Sequence, residues 1–206
     1  MSVKRISVGE LATNCYIYRD DATGRCAIID PGEMDECLRS AIMEYGCDQF
    51  DYILLTHCHF DHVRGAGEAK KMTGAKIAIF RDDAPGLLDK NVNLSQMFLY
   101  HGEIYPPADV TFIDGAKCNV GDTEFTVFHT PGHTVGSCCY VTDGIIFSGD
   151  TLFCRSAGRT DFPGGSLTQL RHSLQRLVKL EGDYQVYPGH DEPTTLSAER
   201  KYNLYC

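Results

Sequence analysis

The sequence predicts an α/β fold, with helices packed on the faces of β-sheets. Three observations carry this. From residue 25 to residue 80, apolar strand-like runs alternate with helical patterns. Within that stretch, residues 33–45 place apolar side chains at Met34, Cys37, Leu38, Ala41, Ile42 and Tyr45, the spacing of one helix face. After residue 108, strand runs and then helical stripes appear again in a similar order.

Each element has its own local reason. Ile6-Ser7-Val8, Asn14-Cys15-Tyr16-Ile17-Tyr18 and Arg25–Asp30 read as strands, the last two joined by the turn Asp20-Asp21-Ala22-Thr23-Gly24. Pro31-Gly32 breaks the pattern, and the helix over 33–45 stops at Gly46. Tyr52-Ile53-Leu54-Leu55 is apolar throughout, as suits a strand covered on both faces. Val63–Thr73 reads as a helix and Lys76–Phe80 as the next strand. Residues 82–108, with Pro85-Gly86, Asn91-Val92-Asn93 and Pro106-Pro107, read as a long loop or lid inserted near a functional site. The patch Met97–Tyr100 would form its wall over that site. Strands are predicted at 110–113, 123–128, 137–141 and 144–147, with Asp143-Gly144 as a hairpin turn. Ser166 is placed to cap a helix striped by Leu167, Leu170, Leu174, Leu177 and Val178. Tyr184–Tyr187 reads as a strand and Thr195–Tyr202 as a final helix.

The 206 residues are expected to form one domain, 1–206, with an ordinary 43% of hydrophobic residues. A formal charge of −9 argues against nucleic acid or an anionic membrane as partner. No run approaches the ~18 apolar residues of a membrane span. The start, Met1–Glu10, lacks the apolar stretch of a signal peptide, so a cytoplasmic location is expected. The ten Cys include no CxxC pair and read as small buried hydrophobes with reduced thiols.

The chemistry concentrates in His57-Cys58-His59-Phe60-Asp61-His62, directly after an apolar strand. His57 and His59 can face the same way along an extended chain, whereas the adjacent Asp61 and His62 point apart. One segment can therefore feed two nearby metal positions. His133, Asp150 and His190 each sit just past a predicted strand, each preceded by Gly, which lets the backbone turn sharply. Imidazole with carboxylate favours zinc, iron or manganese. Cys58 is read as packing away from the metals, and His101, His129 and His172 as ordinary polar residues.

His-x-His-x-Asp-His followed by single His, Asp and His resembles the ligand set of the metallo-β-lactamase superfamily. Asp30-Pro31-Gly32, Pro131-Gly132-His133-Thr134, Ser148–Phe153 and Pro188-Gly189-His190 extend the likeness over most of the chain. The closest resemblance is to the short glyoxalase II-like hydrolases. It implies a four-layer αββα sandwich with two mixed β-sheets and the site at one edge. It also implies that His57, His59 and His133 hold one divalent ion, that Asp61, His62 and His190 hold a second, and that Asp150 bridges them. Zinc is the first expectation for both, with iron or manganese as alternatives. The implied activity is hydrolysis of a thioester or related ester, S-D-lactoylglutathione among the candidates. A metal-bound hydroxide attacks the acyl carbonyl, with Asp61 and Asp150 in catalytic roles.

The familiar β-lactamases of the superfamily carry Cys where this chain has Asp150, which points away from antibiotic hydrolysis. The rival reading is a mono-iron persulfide dioxygenase, which the resemblance would build on His57, His133 and Asp150. A non-catalytic metal-binding protein is a third. Gly158-Arg159-Thr160-Asp161-Phe162 allows two readings: Arg159 and Asp161 pair with each other, or Arg155 or Arg159 binds a carboxylate on a small, anionic acyl thioester.

Overall fold

The computed structural model describes residues 1–206. Two six-stranded sheets form its centre. The first contains β1 (Ser2–Val8), β2 (Thr13–Arg19), β3 (Cys26–Ile29), β4 (Phe50–Leu55), β5 (Lys76–Phe80) and β6 (Val110–Phe112), in that spatial order. The chain runs antiparallel from β1 to β3 and parallel from β3 to β6. The second sheet is built from β7 (Lys117–Val120), β8 (Thr123–His129), β9 (Cys138–Thr142), β10 (Ile145–Gly149), β13 (Gln185–Pro188) and β14 (Thr194–Thr195). A small hairpin, β11 (Leu152–Phe153) and β12 (Ser156–Ala157), follows β10. Parallel pairing of β10 with β13 makes this sheet mixed as well.

Side-chain alternation sorts these strands into layers. Ile17, Ile53, Leu55, Ile77 and Ile79 face outward onto α1 (Glu36–Tyr45) and α3 (Ala66–Thr73), where Leu38, Ile42, Ala66 and Ala69 meet them. Their neighbours Tyr16, Tyr18, Leu54 and Phe80 face inward and pack on Phe125, Val127, Tyr140 and Phe147 of the second sheet. Cys139, Val141, Ile146 and Val186 cover the far face with α5 (Leu167–Val178) and α6 (Leu196–Tyr202). The result is the four-layer αββα arrangement. Adjacent Cys138 and Cys139 fall in different cores, as the two-residue period of a strand requires. No helix is long and apolar enough to cross a membrane.

Several boundaries differ from expectation. The first helix begins at Glu36 because Asp35 caps it, its Oδ1 accepting from the Leu38 N–H at 2.8 Å. The helix expected over 63–73 is divided into α2 (Phe60–Val63) and α3. At the break, Gly65 donates its N–H to the Pro31 carbonyl at 2.7 Å, and a Cβ there would lie 2.7 Å from the same oxygen. Strand β1 begins at Ser2, upstream of its apolar end, and β7 alternates charged or polar residues with Cys118 and Val120. The 82–108 segment folds into a 3-10 turn, Ala84–Leu88, and α4 (Ser95–Phe98). Asn93 and Ser95 close it by donating to the Glu103 carbonyl at 3.0 and 2.8 Å.

The turn after β8 is pressed onto α5. Gly132 has φ +137, and a Cβ there would sit 2.3 Å from the backbone nitrogen of Leu170. Gly132→Ala should therefore destabilise the protein by about 2–4 kcal/mol, read as a lower urea midpoint with an unchanged slope.

Candidate metal centre

The carboxyl ends of β3, β4, β8, β10 and β13 meet at one edge of the sandwich. They deliver Asp30, the 57–62 segment, His133, Asp150 and His190 to that edge. The 57–59 stretch is extended, and α2 begins at Phe60, so Asp61 and His62 enter on a helical turn. His57 and His59 thus face one point while Cys58 turns into the core.

The ligand atoms of His57, His59 and His133 lie within 4.8 Å of one another, and those of Asp61, His62 and His190 form a second such group. In the first, His59 Nδ1 is 2.9 Å from His133 Nε2. His133 donates its other ring nitrogen to the Arg159 carbonyl at 2.8 Å, which fixes the tautomer and leaves Nε2 free. Thr56 donates its hydroxyl to Asp30 at 2.6 Å, so it can accept only from His57 Nδ1, 3.1 Å away. In the second group, His62 Nδ1 donates to Asp30 Oδ2 at 3.0 Å, leaving its Nε2 3.3 Å from His190 Nε2 and 3.5 Å from Asp61 Oδ2. Asp150 lies between the groups. Its Oδ1 is 3.4 Å from His62 Nε2, and its Oδ2 is 3.5 Å from His133 Nε2 and 3.7 Å from His190 Nε2.

These residues fit metal ions. His57 Nε2 and Asp150 Oδ1 are buried polar atoms without a hydrogen-bond partner, an arrangement that costs free energy unless something binds them. Burial, reinforced by the neighbouring imidazoles, holds His57 and His59 well below the usual histidine range, so both are neutral, as ligation requires. Burial opposes ionisation of Asp61, but His62 and His190 beside it keep its carboxyl well below the usual carboxylate range. Burial also disfavours a charged His62, yet Asp61, Asp150 and Asp30 push it up to about 10. A carboxylate field that draws a proton onto His62 attracts a divalent cation by the same force.

Two supporting carboxylates escaped the sequence reading as such. Asp30 stood out only as part of a family motif, though it supports both ligand groups through Thr56 and His62. Asp83 lies at the start of the 82–108 segment and is buried. It accepts from Cys58 N at 3.0 Å, Thr134 Oγ1 at 2.7 Å and Gly136 N at 2.7 Å, joining the loop of His57 and His59 to that of His133. The only sequence signal for it was an acidic pair directly after a buried strand.

A cleft of about 510 Å³ opens over the centre, lined by His59, Asp61, His133, Asp150 and His190 together with apolar residues. Leu94 and Phe98 bring the 82–108 segment to its wall. Arg159 also lines it, but Arg155 does not; the Arg155 guanidinium lies over the Tyr202 ring at 5.6 Å. His129 stacks on Phe80 at 4.1 Å, away from both groups.

The fold and the centre together define a metal-binding αββα protein, and comparison with known proteins places it more closely. A family model for the metallo-β-lactamase superfamily matches residues 8–190, and the chain belongs to that superfamily. A protein of Aquifex aeolicus is 36% identical over all of this chain and 97% of its own length. The hydroxyacylglutathione hydrolase of Pseudomonas entomophila is 34% identical, over 85% of this chain and 61% of that enzyme. Among solved structures, BLEG-1 B3 metallo-β-lactamase superposes with a TM-score of 0.92 at 31% identity, covering 99% of both chains. TTHA1623 in a di-iron-bound form gives 0.84 at 30%, covering 98% of this chain and 100% of that one. ETHE1 from Myxococcus xanthus gives 0.81 at 30%, covering 99% and 84%. Members of this superfamily are mostly hydrolases that bind divalent metals and act on small molecules.

Because Asp83 holds two ligand loops through hydrogen bonds that need a carboxylate acceptor, Asp83→Asn should weaken metal binding at the His57, His59 and His133 group. The expected loss is about 10–100-fold, measured by competition against a chelator. Affinity at the second group should change far less.

Proposed function

We propose that this protein is a binuclear metal-dependent hydrolase of a thioester or related ester, of the glyoxalase II-like type. The observation that carries the reading is the position of Asp150 between two complete three-residue groups, its Oδ2 within 3.7 Å of a ring nitrogen from each, His133 and His190, and its Oδ1 3.4 Å from His62. His57, His59 and His133 would hold one ion and Asp61, His62 and His190 the other, with Asp150 shared. Zinc is the first choice, and the di-iron form of a similar protein makes iron a direct competitor. With two ions held by these residues, the site would gain a hydroxide nucleophile near neutral pH and Lewis acidity toward a carbonyl oxygen.

The chain's own residues do the rest. Arg159 O and Thr56 fix the ring orientations of His133 and His57, and Asp30 does the same for His62. Thr13 donates to Asp61 Oδ2 at 3.2 Å, which sets the carboxylate plane toward His190. Phe98 and Phe162 give the cleft an apolar wall on one side. The substrate's acyl carbon must lie in the cleft over Asp150. No Ser or Cys nucleophile is required for this reading.

One sample should carry about two metal equivalents and release thiol from acyl thioesters, with a β-lactam and glutathione persulfide run alongside. One iron per chain with oxygen consumption on glutathione persulfide would sink the hydrolase reading. Asp150→Ala should lose metal and lower kcat more than about 100-fold, beyond what changes in supporting residues cause. Full occupancy and rate in that variant would remove Asp150 from the shared position.

A further inference from the structure

Besides the metal ions it would hold, the cleft has one basic side chain, Arg159, and an acid already pairs with it. Arg159 donates through Nε and Nη2 to both carboxylate oxygens of Asp161, each at 2.7 Å, and its guanidinium lies over the Phe162 ring at 4.0 Å. A second cavity of about 180 Å³ continues from the cleft past Leu11, Phe60, Asp61 and Phe98. Its only cation, Arg64, is also engaged: Nε and Nη2 both donate to Glu103 at 3.1 Å, and Glu33 lies 3.9 Å away. An incoming carboxylate would meet a guanidinium whose charge is already balanced by an acid tethered beside it. That acid would repel the newcomer. The chain's net charge of −9, still negative with two divalent ions bound, adds to that opposition.

Away from the ligand groups and Arg159 the cleft wall is mainly apolar, with Ser156 and Asp191 as exceptions. Phe60 and Phe98 stack with centroids 5.6 Å apart, and Phe98 meets Phe162 edge-on at 5.8 Å. Phe153 stands 6.2 Å from the His190 ring on the opposite side. Leu11 and Phe98 remain 49% and 48% exposed at the rim, so they retain surface that a bound chain can cover.

We infer that the substrate is uncharged and apolar on both sides of the scissile bond, and that the Arg159–Asp161 pair makes the site select against an anionic carrier such as a peptide thiol. This rests on the hydrolase reading above and names the substrate class of the same site. In the reaction, water adds across the C–S bond. The acyl carbon gains the oxygen and leaves as a carboxylate, the sulfur takes one proton, and the other goes to solvent. Asp161 acts here as a specificity-determining residue that holds Arg159 closed to substrate.

The test compares S-hexanoyl-N-acetylcysteamine with S-hexanoylglutathione on the metal-loaded full chain; the carriers differ in size as well as charge, and the Asp161→Asn variant isolates the charge. The neutral substrate should have a kcat/KM higher by about tenfold or more, the scale of one misplaced charge. Asp161→Asn should narrow that ratio by freeing Arg159, and Phe98→Ala should raise KM for hexanoyl more than for acetyl substrates. Binding is read separately by titrating cobalt-substituted protein with 1-butanethiol and with glutathione, using the thiolate-to-cobalt absorption band. Tighter binding of butanethiol without turnover of either thioester would support the apolar site and overturn the hydrolase reading. Turnover with an equal or greater preference for the glutathione thioester, or a ratio that Asp161→Asn leaves unmoved, would overturn the inference while the hydrolase reading stands.

Discussion

A single buried carboxylate, Asp30, joins the two halves of the candidate metal centre. Asp30, at the end of β3, accepts the Thr56 N–H at 2.8 Å and the Thr56 hydroxyl at 2.6 Å, and also His62 Nδ1 at 3.0 Å. Through Thr56 it sets His57 in one ligand group, and directly it sets His62 in the other. A buried acid with three donors keeps its charge satisfied and fixes what it touches. Without that anchor, the 56–62 segment after β4 would be held only loosely against the end of the neighbouring β3, and ligand atoms 1 Å out of place make a poor site.

Asp83 plays the matching part on the other flank, tying the 57–59 backbone to the 134–136 turn. Burial raises the Asp83 carboxyl despite its hydrogen bonds, a cost that the fold accepts at this junction. The apolar layers make such costs bearable. The inter-sheet core of Tyr16, Tyr18, Phe125, Tyr140 and Phe147 lies behind the polar edge, and α5 backs the Gly132 turn that presents His133. Core, anchoring acids and ligands thus form successive shells, each positioned by the one beneath it.

The layering was legible because strand alternation and helix spacing are written in local sequence. Ile53 and Leu55 face one core and Leu54 the other, as a two-residue period demands. The α5 stripe and its Ser166 cap were equally plain, although Leu167 is exposed. The ligand candidates stood out because His and Asp cluster beyond apolar runs. What could not be read depends on distant contacts. The break between α2 and α3 follows from the Pro31 carbonyl reaching Gly65, a contact across 34 positions. The roles of Asp30 and Asp83 need partners brought together only by folding. Arg155 looked as available as Arg159 in the sequence, but only Arg159 lines the cleft. Its pairing with Asp161 was one of two open readings until the geometry was known.

The central claim is that five strand ends build two adjacent metal positions with Asp150 between them. Anomalous diffraction from crystals of the metal-loaded protein tests it most directly. The account predicts two peaks, about 3.5–4 Å apart, one against His57, His59 and His133 and the other against Asp61, His62 and His190. A single peak at full metal loading, or a second peak away from Asp61, His62 and His190, would contradict it.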